Sequence, residues 1–403
     1  MVRRRPGGRF ASSGVAALLG VVLLAVSACS GSSAADDKTG EDGKGGDPGN
    51  AISLAITPED GAKDVATTGE IAVAVDHGTL TAVSVTDAEG TEVPGELMDD
   101  NSGWQAQDHL ANDTAYTVTA TAEDKDGAGA TETSTFTTVA AGTTFSTSWT
   151  VVEGSEYGVG MILSVTFDSP IENTSAVADA IRITTEPAVE VEPHWFGSHR
   201  VDFRPQEYWE PGTEVGVQFR LRGVEGSQGV YGTASQDVNF TIGRSQITTV
   251  DDAKLTMDVV RDGEKVKTFD VTTGAPGMTT WNGKMVISEK YKETRMDGAT
   301  VGFDGDYDIP DVPHAMRLSQ SGTFIHGNYW GGDIFGNGRA SHGCIGLRDT
   351  QGAGDPSTDG AWFYDNSLVG DVVEVINSND DILAPDNGLS GWNMDWSEWG
   401  AGQ

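Results

Sequence analysis

The chain has 403 residues, with 61 acidic against 25 basic side chains and a formal charge of −36. That surplus excludes a nucleic-acid-binding surface, which needs clustered Lys and Arg, and disfavours adsorption to anionic lipid headgroups; it suits an acidic, solvated surface that keeps an exported protein soluble. The length implies two to four domains, and 53 glycines with abundant Val, Thr and Ser favour strands and turns over helices.

The first segment is an address. Arg3, Arg4, Arg5 and Arg9 form a basic region, followed by an apolar run from Val15 to Val26 too short to span a bilayer. The run ends Leu24-Ala25-Val26-Ser27-Ala28-Cys29, which resembles the lipobox of bacterial lipoproteins. That resemblance implies cleavage before Cys29 and a lipid on its thiol, so the protein would sit outside the cytoplasm, anchored to the membrane. An ordinary cleavage site with a chance cysteine is the alternative. Residues 29–50 are rich in Gly, Ser, Asp and Lys and predict a flexible tether. Its root-mean-square reach is roughly 25 Å.

Residues 51–140 hold short alternating runs, among them Ile71–Val75, Ala82–Val85 and Tyr116–Ala120, separated by turns such as Glu89-Gly90 and Asp126-Gly127. This spacing predicts an immunoglobulin-like β-sandwich. Residues 141–243 predict a second one, with strands at Met161–Phe167, Arg200–Phe203 and Val215–Phe219. Its His194, Trp195, Tyr208 and Trp209 suit packing at least as well as a carbohydrate platform.

Residues 244–378 carry the chemistry. A hairpin is predicted over Lys254–Phe269, then a strand near Trp281–Ile287, and a polar stretch from Ser288 to Asp311 long enough for a lid. A strand leads through Phe324-Ile325 to His326, and a glycine-rich loop leads to Ser341-His342-Gly343-Cys344. Cys344 is one of only two cysteines, and His326 lies eighteen positions before it. If Cys29 is lipidated, Cys344 has no disulfide partner, and an unpaired thiol beside histidines suits a nucleophile with an imidazole base. A short helix at Ala361–Asp365 and a strand at Gly370–Ile376 close the unit. In the tail, residues 379–403, Trp392, Trp396 and Trp399 are spaced to share one helical face and predict a packing clasp.

The His326…Ser341-His342-Gly343-Cys344 pattern, with its framing strands and two preceding sandwiches, resembles the L,D-transpeptidases of the YkuD family, in particular membrane-anchored actinobacterial members. The resemblance implies a mainly β fold. It also implies a 3→3 cross-linking activity on peptidoglycan stem peptides through a Cys344 thioester with release of D-alanine, and inactivation by carbapenem-type β-lactams. His326 would be the base, anchored by the Gly327 backbone carbonyl. The Gly343 N–H, with that of Cys344 and the Tyr307 hydroxyl, would stabilise the oxyanion. Ser341, His342, Trp330 and Met296 would shape the substrate cleft, and no metal or redox cofactor would be required. Two departures stand out: Gly346 where the family carries Asn or Arg, and a longer Gly/Asp-rich segment at Asp349–Asp359. An L,D-carboxypeptidase using the same acyl-enzyme, a wall-binding protein with a degenerate site, and a zinc site on His326, His342 and Cys344 remain as alternatives.

Overall fold

The computed structural model describes residues 51–302 and 305–400. The export segment, Cys29 and the tether therefore lie outside the described residues. The rest is mainly β with a few short helices.

Two four-stranded sheets enclose the first core. One runs Ser53–Thr57, Glu70–Asp76, Gly103–Ala106, Gly95–Leu97, and the other runs Ala62–Val65, Gly129–Thr138, Ala115–Glu123, Thr79–Asp87. Alternate residues such as Ile71, Val73, Val118 and Phe136 point inward and are buried, as the period of two requires. The second sandwich pairs Leu163–Phe167 with Arg200–Pro205 in one sheet and Glu214–Arg220 with Ser235–Ile242 in the other. Tyr208, Trp209 and His194 pack inside this architecture. Trp209 donates its indole N–H to the Met161 carbonyl at 2.7 Å, and His194 Nδ1 lies 2.7 Å from the Trp399 carbonyl oxygen. These contacts favour packing over a sugar platform.

Two sheets also build the C-terminal unit. The five-stranded sheet has the order Glu264–Asp270, Thr256–Arg261, Gln246–Asp251, Val372–Ile376, Gly283–Val286. The four-stranded sheet has the order Glu289–Asp297, Asp308–Arg317, Phe324–Asn328, Ile345–Arg348. Met257, Val259, Met316, Ile325, Leu347 and Val373 fill the space around them together with Phe363 of the helix Asp359–Asp365. The polar stretch from Ser288 is a correction to the sequence reading. The expectation gave it no strands, whereas it is chiefly a long antiparallel hairpin. Its charged and polar side chains lie largely at the surface, so apolar periodicity gives little sign of strand. The tip of this hairpin still reaches the site.

The second sandwich and the C-terminal unit share one apolar cluster, in which Val286, Val372 and Trp392 pack with sandwich residues such as Ile162. Close backbone approach makes this possible. The N–H groups of Gly158 and Gly160 donate to the carbonyls of Val369 and Gly370, both at 2.8 Å, and a Cβ on Gly158 would lie 2.3 Å from Asp371 N. The tail completes the joint, though not as one helix. A 3-10 turn at Gly391–Asn393 and a four-residue helix at Trp396–Trp399 bring all three tryptophans around Arg204, whose guanidinium lies 4.8, 5.2 and 4.3 Å from the rings of Trp392, Trp396 and Trp399.

Candidate active site

The strand Phe324–Asn328 is central in its sheet and buried throughout. It pairs in parallel with Ile345–Arg348, with Ile325 opposite Ile345 and His326 opposite Gly346. Continuing that register sets Cys344 beside Phe324, and the two pack together with Ala315. Phe324 and His326, two residues apart, share a face of the sheet, so thiol and imidazole open on the same side. Both line one cavity of ≈ 310 Å³.

The loop before Cys344 is pinned from three sides. Thr272 and Gly346 exchange backbone hydrogen bonds at 3.1 and 2.8 Å, and Ala275 N–H donates to the Ser341 carbonyl at 2.8 Å. Ser341 Oγ donates to the Cys344 carbonyl at 2.6 Å and accepts from Gly343 N–H at 3.2 Å. Gly343 sits at φ +106°, which a residue with a Cβ strongly disfavours. At rest its N–H is held by Ser341 Oγ.

His326 Nδ1 lies 2.8 Å from the Gly327 carbonyl oxygen. A carbonyl can only accept, so Nδ1 carries the proton and Nε2 keeps its lone pair. Burial holds the imidazole below its ordinary pKa, opposed by the Gly327 carbonyl and by the charge of Asp349. Burial also pushes the Cys344 thiol up to about 11, opposed by the Phe324 backbone. At pH 7 an isolated thiol of that pKa is ionised in on the order of one molecule in ten thousand. Burial thus favours the neutral form of each group, and the thiol lies 3.5 Å from the Gly322 carbonyl oxygen.

Met296, Tyr307, Trp330, Ser341 and His342 line the same cavity. Trp330 is 44% exposed and its ring stacks on His326 at 5.8 Å. Tyr307 lies 4.8 Å from the His342 ring, and burial, then the neighbouring Cys344, pushes its phenol up to about 12, so it stays a proton donor. His342 Nε2 is 3.9 Å from an Asp306 carboxylate oxygen. Asn328 also lines the cavity, and the sequence reading passed it over. The signal was its place two residues after His326 on the same strand face. A Cβ on Gly346 would meet Thr272 Cγ2 at 2.7 Å and the Asn328 amide at 3.4 Å. Asn328 thus sets a polar amide beside the position where Gly346 has no side chain. Among the described residues no group of three or more His, Cys, Asp or Glu could hold a metal ion. A larger groove of ≈ 380 Å³ on the second sandwich, lined by Glu153, Glu186 and Glu214, contains no nucleophilic thiol or imidazole.

The fold and this cavity define a class: a mainly β protein with immunoglobulin-like sandwiches ahead of a domain that buries a thiol beside an imidazole. Residues 245–375 match the L,D-transpeptidase catalytic domain (YkuD), and residues 62–225 match a bacterial Ig domain. The chain is 33% identical to L,D-transpeptidase 2 of Mycobacterium tuberculosis, over 87% of this chain and 84% of that protein. It is 31% identical to L,D-transpeptidase 5 of the same species, over 87% and 77%. A solved L,D-transpeptidase in complex with imipenem is 29% identical, with a TM-score of 0.47 over 57% of this chain and 97% of that one. The chain belongs to the L,D-transpeptidase family.

Proposed function

We propose that this protein forms 3→3 cross-links between peptidoglycan stem peptides through a thioester on Cys344, releasing D-alanine. The observation that carries the reading is a thiol and an imidazole on one cavity, with the imidazole's Nδ1 tied to the Gly327 carbonyl. Cys344 Sγ attacks the carbonyl carbon of the L,D amide bond while His326 Nε2 takes the thiol proton. The oxyanion is stabilised by the backbone N–H groups of Cys344 and Gly343, the latter after it leaves Ser341 Oγ, and by the Tyr307 hydroxyl. The C–N bond then breaks, and His326 returns the proton to the departing D-alanine amine. The amine of a second stem attacks the thioester and loses its proton through His326, and the thiol is restored.

Outside the described residues, we place the chain on the outer face of the cytoplasmic membrane through lipidated Cys29. The imipenem complex of a relative supports carbapenem acylation of Cys344 here. The test is incubation with tetrapeptide stems followed by muropeptide analysis. Dimers linked 3→3 and free D-alanine, both absent in Cys344→Ala, are expected; tripeptides without dimers would replace this reading with a carboxypeptidase. Intact mass should rise by one carbapenem in the wild type and not in Cys344→Ala. An unmodified wild type would count for a degenerate site.

A further inference from the structure

Against the Gly327 backbone lies a buried acid–histidine pair that the mechanism above does not use. Asp349 follows the strand Ile345–Arg348, and its side chain is 0% exposed. Its Oδ2 lies 2.7 Å from His314 Nδ1, and its Oδ1 accepts from Thr350 N–H at 2.7 Å and Thr358 Oγ1 at 2.9 Å. His314, on Asp308–Arg317, is itself buried and sits at φ +46°. Holding a histidine in the left-handed region costs energy, so the surrounding packing must enforce this placement.

The carboxylate is wedged against the catalytic backbone. A Cβ on Gly327 would lie 2.1 Å from Asp349 Oδ2, and so would one on Gly360 of the helix. Gly327 is the residue whose carbonyl orients His326. We propose that Asp349, held by His314, is a positioning residue for His326: it fixes the Gly327 peptide that orients the ring and supplies negative charge that stabilises the imidazolium formed when Cys344 ionises. Neutral thiol and neutral imidazole become thiolate and imidazolium, a step favoured by a nearby fixed anion.

The charged and titratable neighbours are few. His314 faces Asp349 from the strand Asp308–Arg317, His326 feels its charge across the strand Phe324–Asn328, Asp359 approaches from the helix, and Arg348 precedes it in the chain. Burial, before any charge, raises the Asp359 carboxyl, Lys267 and Arg348 oppose that, and Asp270 and Asp349 add to it. Tyr364 covers the other side of His314, ring to ring at 5.2 Å.

The experiment reads thiol ionisation without any peptide substrate. Alkylation of the full chain by iodoacetamide is followed at the Cys344 peptide by mass spectrometry from pH 5 to 11. The thiol sulfur displaces iodide from carbon, and its proton passes to His326 and on to solvent. At neutral pH the rate follows the thiolate–imidazolium fraction, which changes tenfold for each unit by which the imidazole's basicity changes. Asp349→Asn should lower the neutral-pH rate about tenfold and leave the alkaline limit, where thiolate forms without His326, within about twofold. His314→Ala should lower it in the same pH range, and His314→Asn, which keeps a donor and tolerates positive φ, should restore it. A neutral rate in Asp349→Asn within about twofold of wild type overturns the proposal, as does a loss of the same factor at every pH. If Asp349→Asn does not fold, the His314 pair decides alone: equal rates in both variants overturn it. This inference rests on Cys344 and His326 acting together, not on the peptide substrate. A wild type that fails to release D-alanine but shows the expected alkylation profile defeats only the proposed function.

Discussion

The joint between the second sandwich and the catalytic unit and the cavity at the candidate active site both bury ionisable groups, and they differ in the partners they provide. At this joint the buried charged groups lie against partners already in place, although burial still raises the Asp202 and Asp371 carboxyls and holds the Arg204 guanidinium down. Arg200 forks onto Asp202, which is fully buried, and donates to the Asp386 and Gly388 carbonyls. Arg244 reaches both oxygens of Asp371 at 2.8 and 3.0 Å. Arg204 is faced by three indole rings and donates to the Met394 carbonyl at 2.9 Å. In the cavity, Cys344 and His326 are kept uncharged by burial and open toward an incoming molecule. A buried charge is tolerated where its partner is permanent; in the cavity burial favours the neutral form of both groups.

The largest blow to this contrast comes from the proposed nucleophile. Cys344→Ala should cost roughly 10⁴-fold or more in D-alanine release, while its melting temperature, followed by circular dichroism, should stay near that of the wild type. His326→Gln should cost on the order of 10²–10⁴-fold in the same assay; turnover within tenfold of wild type would remove His326 as the base. The clasp should respond the other way. Trp399 is fully buried, so Trp399→Ala should destabilise by about 3–5 kcal/mol in urea unfolding. Truncation after Asn379 should lower the melting temperature as well, and unchanged melting in both would dissolve the clasp.

A smaller effect tests the neutral storage of the thiol. The folded state holds the Cys344 proton to about 11, whereas the ordinary value is 9.0. The folded chain therefore binds more protons than the unfolded one between those values, and stability should fall as pH rises through them. The part due to Cys344, taken as the difference from Cys344→Ala, should be roughly 2–3 kcal/mol. An equal slope in the two proteins would mean that the thiol is not held neutral. Smallest of all, Trp330→Ala should raise KM roughly fivefold with little change in melting, because the ring is half exposed and covers only one face of His326.

The sandwich strands were legible because period-two alternation survives wherever one face is buried, as in Glu70–Asp76 and Glu214–Arg220. The hairpin from Glu289 was not, since charged residues such as Glu289 and Lys290 occupy both faces of the strand and leave no apolar alternation. The tail showed its three tryptophans but not their target, because Arg204 lies almost two hundred residues away in sequence. His314 and Asp349 belong to no motif, and only folding brings them together.

By itself the chain supplied the candidate groups: a thiol, an imidazole eighteen positions before it, and glycines around both. Those are local facts, fixed by residue type and spacing. Tertiary structure alone decided the protonation state and the support, because a pKa depends on what burial removes and which charges approach, and neighbours such as Asp349 arrive only when the sheets close.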